Sequence, residues 1–256
     1  MGTFPFGRPA TVRPPRPAAA GSARVFILGV YPSALHVRWA RPDGKVHVQS
    51  LAVDDEPEVF WDGADAAERV EQWKQQVGWQ RSWGSVTSSG NGTSGRGVLR
   101  DVLEPLGLPP EQAFFTDCFR RYLVKTGAGS QGAAMERAYA PFAAARGLSP
   151  VALPERPSDA ALVRMALEED GGETVAQLRE SGAELVVTLG QPAADFLADL
   201  VGRDRVVLRR DTTYGEQRTI RVGSRSVAWL SLKHPGQRQT VWEQHHRGWS
   251  ESVRTR

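Results

Sequence analysis

The chain has 256 residues, 40% of them hydrophobic and 24% charged, which is the composition of a globular protein large enough to bury a sizeable core. Its formal net charge of +3 permits contact with nucleic acid without demanding it, because phosphate binding needs local basic clusters rather than net charge. A lone cysteine, Cys118, excludes internal disulfides and a cysteine-rich zinc or iron–sulfur site, and no apolar stretch approaches the ~20 residues that cross a bilayer. These features predict a cytoplasmic protein with no membrane partner and no cofactor.

The first 22 residues differ in composition from the rest of the chain. Residues 1–22 are rich in proline and arginine and lack the apolar segment of a secretory signal, so we expect a disordered N-terminal arm. Residues 23–256 are predicted to form one α/β domain. Its first strand is the apolar run at 24–30, and an antiparallel hairpin follows with its turn at Pro42-Asp43-Gly44.

The middle of the chain alternates between helical and extended patterns. Apolar residues at helical spacing predict a helix over 64–77, and the Gly/Ser/Thr-rich stretch 84–97 is expected to be a mobile loop. A short helix is predicted over 98–106. A strand begins at Ala113, and two helices are expected between 131 and 181.

A second buried parallel strand is the clearest element of the C-terminal half. It covers 184–190, and Gln191-Pro192 then begins a helix, with proline in the first turn. Strands are expected over 206–232, and a last helix begins at Thr240, with Glu243 in a possible capping box. This alternation predicts a three-layer α/β sandwich with a central, mainly parallel sheet. The residues predicted to be core are Phe26, Ile27, Leu28, Leu185, Val186 and Val187.

Unusual residues follow the ends of three predicted strands. In open α/β sheets, ligands bind beyond the carboxyl ends of the strands. A glycine there lets a ligand approach the backbone, and a proline fixes the following turn. The three segments are 29–33 (Gly-Val-Tyr-Pro-Ser), 116–117 (Thr-Asp) and 233–236 (Lys-His-Pro-Gly). Together they predict a small polar pocket that contains a histidine, a carboxylate, an aromatic ring and hydroxyl groups.

The order of these segments resembles the uracil-DNA glycosylase superfamily, particularly its bacterial iron–sulfur branch. That branch has a first strand ending in a Gly-x-x-Pro-Gly turn, which is similar to 29–33, and a Gly-rich stretch leading into a helix, similar to 92–108. A strand ending in Thr-Asn resembles 116–117, and a strand ending in Leu-Gly resembles 189–190. The final His-Pro-Ser motif is similar to 234–236, so the likeness runs in order over most of the chain.

The resemblance implies a function and a set of site residues. Members of the superfamily flip a base out of the DNA stack and cut its glycosidic bond. His234 would stabilise charge on the base carbonyl oxygen, and Asp117 would read the base edge. The partner would be DNA or a nucleotide. The residues implied in base or nucleic-acid binding are Gly29, Tyr31, Pro32, Ser33, Thr116, Pro235 and Gly236.

The sequence departs from the pattern of the superfamily in the first motif and the Gly-rich stretch. Val30 and Tyr31 stand where many relatives position water with an acid or amide, which puts catalysis in doubt. The four cluster cysteines are absent, so no iron–sulfur cluster is expected. Thr93 stands where relatives place a base-stacking phenylalanine, and Trp83 or Trp39 are candidates to replace it.

The replacement of asparagine by Asp117 has a chemical consequence for base recognition. An ionised carboxylate only accepts hydrogen bonds, whereas an amide both donates and accepts. We therefore expect Asp117 to repel a uracil carbonyl and to favour an exocyclic amine, as on cytosine or adenine, unless the carboxyl group is protonated. Alternatively, Asp117 pairs with a nearby arginine and has no part in binding.

Other functions remain open at this point. A non-catalytic module that senses a nucleotide or damaged DNA fits the same segments, as does an α/β enzyme acting on a small nucleotide. A hydrolase triad of Ser33, Asp117 and His234 lacks the G-x-S-x-G elbow. Basic clusters either contact DNA phosphates or are solvated faces. They comprise Arg120-Arg121 with Lys125, residues 203–210 and residues 218–225.

Overall fold

The computed structural model describes residues 2–19, 21, 23–208, 214–237 and 239–254. The strands are β1 (Val25–Gly29), β2 (Ala34–Ala40), β3 (Val46–Asp55), β4 (Ser85–Ser88), β5 (Ala113–Asp117), β6 (Leu185–Leu189), β7 (Gln217–Val222) and β8 (Arg225–Leu232). The α-helices are α1 (Ala66–Gln76), α2 (Thr93–Val98), α3 (Gln131–Ala134), α4 (Ala140–Ala144), α5 (Asp159–Glu180), α6 (Gln191–Leu200) and α7 (Thr240–Arg254).

A five-stranded, mainly parallel sheet forms the centre of the fold. Its order is β5-β1-β6-β8-β7, with the first four strands parallel and β7 antiparallel. The central strands β1 and β6 are continuous apolar runs because helices cover both of their faces. Of the predicted core residues, five are buried and Leu185 is partly buried.

Helices pack on both faces of this sheet, as the predicted α/β class requires. Helices α5 and α6 bury apolar side chains against one face. On the other face lie α7 and α2, which continues into a π-helical turn at Leu99–Leu103. The proline predicted near the start of α6 lies in its first turn, where no backbone donor is lost.

The predicted hairpin is confirmed and extends into a second sheet. Strands β2 and β3 pair antiparallel around residues 41–45, and β4 pairs with the other edge of β2. The order of this sheet is β3-β2-β4. The hairpin therefore leaves the central sheet after β1 and returns to its carboxyl edge at the end of β3.

The prediction that 84–97 is a mobile loop is wrong. The stretch contains β4 and most of α2, and its glycines permit close packing. A Cβ atom at Gly95 would lie 2.2 Å from the carbonyl oxygen of Trp61, and one at Gly97 would lie 2.5 Å from Cβ of Pro235. The glycine content thus reflects tight contacts of a helix rather than flexibility.

The expected disordered N-terminal arm is also contradicted over residues 2–19. Phe4 is fully buried, and the backbone of Thr3 pairs with that of Ala152. The ring of Phe6 packs among six aromatic side chains. The burial of these aromatic rings offsets the entropy that ordering this segment costs.

In the C-terminal half the predicted strands are confirmed only in part. Strand structure in the described part of 206–232 is confined to β7 and β8, and residues 209–213 lie outside the described residues. The last helix begins at Thr240 as predicted, and the side chain of Glu243 accepts a hydrogen bond from Nζ of Lys233 at 2.5 Å. No helix among the described residues is long and apolar enough to cross a membrane.

Candidate functional site

A cleft of about 890 Å³ opens at the carboxyl edge of the central sheet, where the predicted site segments converge. We call it the carboxyl-edge cleft. The turn after β1, the end of β5 and the turn after β8 meet there because these strands are parallel and lie within four consecutive positions of the sheet, β5-β1-β6-β8. Of the predicted site residues, those that line the cleft are Tyr31, Pro32, Ser33, Asp117, His234 and Gly236.

Three of the predicted site residues support the cleft from behind. Gly29 is the register partner of Asp117, and a Cβ atom at Gly29 would lie 2.0 Å from Oδ1 of that carboxyl group. Only glycine therefore allows Asp117 its position. Pro235 packs against Gly97 of α2, and Thr116 is buried within the sheet.

Asp117 is a buried carboxyl group at the end of β5. It is 4% exposed, and burial, followed by the nearby carboxylate of Glu56, raises its pKa well above the ordinary value. Among the described residues it forms no ion pair with an arginine, contrary to the alternative of a structural salt bridge. The raised pKa favours the protonated carboxylic acid, which can both donate and accept a hydrogen bond.

Glu56 is the principal site residue that the sequence did not identify. It directly follows β3, is 6% exposed and lines the same cleft as Asp117 and His234. Its Oε1 atom accepts a hydrogen bond from the backbone N–H of Ser33 at 2.9 Å. Burial raises its pKa to about 7, against the opposing effects of the Ser33 hydrogen bond and the Arg13 charge. Glu56 thus changes its charge near neutral pH.

The carboxyl groups of Asp117 and Glu56 differ in the pH at which they ionise. Two neighbouring buried carboxyls do not both ionise readily, because each negative charge disfavours the other. The pKa of Asp117 is raised well above its ordinary value, whereas that of Glu56 is about 7. The pair therefore favours a single negative charge, and Glu56 is the member whose pKa lies near neutral pH.

His234 lines the cleft as a neutral imidazole. Burial, followed by the charges of Lys125 and Lys233, lowers its pKa to about 4. Its Nδ1 atom accepts a hydrogen bond from the backbone N–H of Gly236 at 3.0 Å. The ring proton must then be on Nε2, which makes His234 a hydrogen-bond donor through that atom. In a Ser33–Asp117–His234 triad, Nδ1 of His234 would face Asp117. The hydrogen bond from Gly236 already occupies this nitrogen, so the triad is not formed.

A hydrogen-bonded chain holds the turn that carries His234. The backbone N–H of Lys233 donates to Oη of Tyr214 at 3.1 Å. Tyr214 Oη and Nδ1 of His246 are 2.7 Å apart, and Nε2 of His246 lies 2.7 Å from the carbonyl oxygen of Asp101. Since a carbonyl only accepts, Nε2 donates there and Nδ1 accepts from the tyrosine hydroxyl. The chain ties β8 to α7 and to the π-helical turn behind the site.

An aromatic ring borders the buried carboxyl pair, but it is neither of the two predicted tryptophans. Trp39 and Trp83 pack together in the core of the second sheet, where Nε1 of Trp39 donates to the carbonyl oxygen of Trp83. Phe60 lines the cleft instead, in contact with the Gly29 position. Its backbone has φ of 55°, a left-handed conformation that is rare for a phenylalanine and that concentrates at functional sites.

Most residues of the predicted basic clusters are engaged in ion pairs or backbone contacts. Arg120 pairs with Asp170, Arg121 with Glu169, and Arg205 with Asp199. The guanidinium of Arg225 donates to the carbonyl oxygen of Gly182. Arg209 and Arg210 lie outside the described residues. Lys125 is exposed and lines the cleft, and so it is the cluster residue best placed to contact an anionic ligand.

No protein-family model matches the chain, and no curated protein matches its sequence. The cleft combines a base that ionises near neutral pH, a carboxylic acid that donates and accepts, a neutral histidine donor and an aromatic ring.

Proposed function

We propose that this protein is a uracil-DNA glycosylase-like enzyme that binds a base flipped out of DNA and hydrolyses its N-glycosidic bond. The observation that carries the proposal is the convergence of Glu56, Asp117 and His234 in one cleft at the carboxyl edge of the sheet. The order of the sequence motifs along the chain supports the same function. Hydrolysis needs a base for water and stabilisation of the departing nucleobase, and these side chains can supply both.

Glu56 is the proposed general base. Water attacks C1′ of the sugar, the new C1′–O bond forms as the C1′–N bond breaks, and the electron pair of that bond passes to the nucleobase. Ionised Glu56 takes the proton of the attacking water. A base with a pKa near the working pH is the efficient choice for this step. Glu56 thus supplies the carboxylate that the first motif lacks, which favours an enzyme over a binding module.

His234 stabilises the departing base. The electron pair released from the glycosidic bond places negative charge on a carbonyl oxygen of the nucleobase. Neutral His234 donates a hydrogen bond to that oxygen through Nε2–H, and it does so without transferring a proton. The fixed Gly236 contact keeps the ring in this tautomer throughout the reaction.

Asp117 and Phe60 recognise the base. Protonated Asp117 presents an O–H donor beside a carbonyl acceptor, which complements the N–H and C=O of a lactam edge. Uracil, hypoxanthine and xanthine carry such an edge, and the burial of Asp117 therefore removes the reason to expect an exocyclic amine. The ring of Phe60 can stack on the base plane beside this edge.

An α/β enzyme acting on a free nucleotide is the second candidate. The cleft volume of about 890 Å³ is within the range of small-molecule sites, and many of the arginines in the predicted clusters are already paired. Retention of DNA separates the two functions, because an enzyme that contacts the phosphate backbone retains DNA in a steeply salt-dependent way, whereas an enzyme for a free nucleotide has no need to retain DNA.

The proposal is tested by incubating the pure protein with oligonucleotides that each carry one uracil, hypoxanthine, xanthine or mismatch. Abasic sites are detected by strand cleavage, beside His234→Ala as the inactive control. Product that disappears in the variant supports the proposal. No product, with salt-sensitive retention of the DNA, contradicts the enzymatic function and favours a binding module. If the protein neither forms product nor retains the DNA, both DNA functions are contradicted.

A further inference from the structure

The N-terminal segment, residues 2–19, crosses the back of the site next to Glu56. Four of its side chains bind residues on either side of this glutamate. Nε of Arg8 lies 2.8 Å from Oδ2 of Asp54, and both the backbone N–H and the hydroxyl of Thr11 donate to Oδ2 of Asp55. After Glu56, Arg13 binds the carbonyl oxygen of Pro57, and Arg16 lies 2.9 Å from Oε1 of Glu58.

Arg13 is the most buried of these arginine contacts. Its side chain is 11% exposed, and that of Asp55 is 7% exposed. Nη2 of Arg13 donates to the Pro57 carbonyl at 2.5 Å, and Nη1 lies 4.0 Å from Oδ2 of Asp55. The backbone N–H of Arg13 donates to the carbonyl oxygen of Arg120, which anchors the segment beyond the end of β5. One guanidinium therefore hydrogen-bonds the residue that follows Glu56 and forms a longer ion pair with the residue that precedes it.

We propose that the N-terminal segment is a positioning element for Glu56, with Arg13 as the residue that fixes the place and the charge state of its carboxylate. The inference rests on the proposed function, in which Glu56 is the base. A planar, always charged guanidinium suits this role because it can bridge two acceptors while it places positive charge beside a third group. Arg13 does not touch the cleft surface that would receive the substrate, so it acts through Glu56.

The charges that face Glu56 come from three parts of the chain. Arg13 contributes the nearby positive charge, and Asp55 and Glu58 contribute negative charge, whereas the raised pKa of Asp117 favours its neutral acid form. Burial raises the pKa of Glu56, as do the two neighbouring carboxylates, while the Ser33 hydrogen bond and the Arg13 charge lower it. Removal of the Arg13 charge leaves only effects that favour protonated Glu56, apart from the Ser33 hydrogen bond. The carboxylate should then ionise at higher pH.

The test compares Arg13→Gln with Arg8→Gln in the full chain. Arg8→Gln is the matched control, because it removes an ion pair to the neighbouring Asp54 without removing the Arg13 charge. The ionisation of Glu56 is followed by carbon NMR of labelled glutamate carboxyls, assigned by the signal that Glu56→Gln loses. The titration midpoint is expected to rise in Arg13→Gln and to stay at the wild-type value in Arg8→Gln. A folded Arg13→Gln protein with an unchanged midpoint would overturn the inference.

A second variant keeps the inference testable if Arg13→Gln does not fold. Arg13→Lys keeps the charge but cannot bridge Pro57 and Asp55 in one plane, so a several-fold lower rate at saturating substrate is expected with a smaller midpoint shift. Wild-type values of both quantities in Arg13→Lys would overturn the inference. The NMR titration needs no activity. A shifted midpoint in a protein that cleaves no DNA would support the positioning role and contradict the proposed function.

Discussion

The backbone N–H of Ser33 donates to Oε1 of Glu56 at 2.9 Å, and this hydrogen bond joins the turn after β1 to the end of β3. The turn at residues 29–33 contains no acidic side chain. The hairpin of β2 and β3 places Glu56 beside this turn. The carboxylate is thereby fixed at the carboxyl edge of the sheet, beside Asp117 and His234. This contact holds the Glu56 carboxyl group at the turn after β1.

Removal of the Glu56 charge should abolish most of the chemistry. Glu56→Gln is expected to lower the rate of glycosidic cleavage by about 10²–10⁴-fold, the usual contribution of a general base, with little change in DNA affinity. Single-turnover cleavage and fluorescence anisotropy measure the two quantities. The control is Glu71→Gln, which removes a 61% exposed acid on α1, outside the cleft, and should leave both unchanged. Equal losses in the two variants would contradict the assignment.

The pH profile should follow the ionisation of Glu56. The base acts only when ionised, so kcat is expected to rise with pH through a midpoint of about 7 and to level off above it. In Glu56→Gln the residual rate should no longer rise with pH in this range. A rate that stays constant between pH 5 and pH 9 in the wild type would show that no group titrating near neutrality limits the reaction.

Glu56 should also reduce stability at alkaline pH. Its pKa in the folded protein is about 7, above the ordinary value of 4.5. The folded state therefore keeps a proton that the unfolded chain has lost, and the resulting stability is complete below pH 4.5 and is lost as pH rises through 7. Glu56→Gln cannot ionise, and we expect it to be more stable than the wild type by about 1–3 kcal/mol at pH 8, with a smaller difference at pH 5. Urea unfolding at both pH values checks this, and a less stable variant at pH 8 would contradict it.

His234 should contribute as a donor and not as an acid. His234→Ala is expected to lower kcat by about 10²–10³-fold, the typical cost of one oxyanion-type donor. His47→Ala on β3, outside the cleft, is the matched control. Because His234 has a pKa of about 4, its titration should not appear in the profile above pH 5. A second ionisation that disappears with His234 near pH 6.5 would contradict the neutral form.

The packing of Gly97 on Pro235 should couple α2 to the site. A methyl group at Gly97 would lie 2.5 Å from Cβ of Pro235, so Gly97→Ala must move the turn that carries His234. We expect several-fold lower activity and a lower Tm. Gly172→Ala is the control, because this helical glycine of α5 has open space and alanine there should be neutral or stabilising by up to about 1 kcal/mol. Equal effects of the two substitutions would contradict the coupling.

Much of the fold follows from local patterns, whereas the site follows only in part. Strands β1 and β6 were predictable because strands buried on both faces are continuous apolar runs, and the strand-end turns place Asp117 and His234. Glu56 was not predictable as a site residue, because it ends an acidic run, Asp54-Asp55-Glu56, that has the composition of a solvated turn. Only the pairing of β2 with β3 brings it to the cleft.

The N-terminal segment and the Gly-rich stretch were misjudged for one physical reason. Amino-acid composition indicates whether a segment is ordered by itself, whereas both of these segments are ordered by contacts with residues distant in sequence. Phe6 packs against aromatic residues as far along the chain as Phe142, and Arg13 binds Pro57 and Arg120. Gly95 and Gly97 are required by the backbones and side chains they touch.

The most direct measurement counts both products of one reaction. Oligonucleotides carrying uracil, hypoxanthine or xanthine are incubated with the wild type and with Glu56→Gln at pH 8, and the free base and the abasic DNA are quantified together. At least one lactam base should be released by the wild type in an amount equal to the abasic sites, and the variant should release far less. Release of no base from any substrate, or equal release by both proteins, would contradict hydrolysis by Glu56 in the carboxyl-edge cleft.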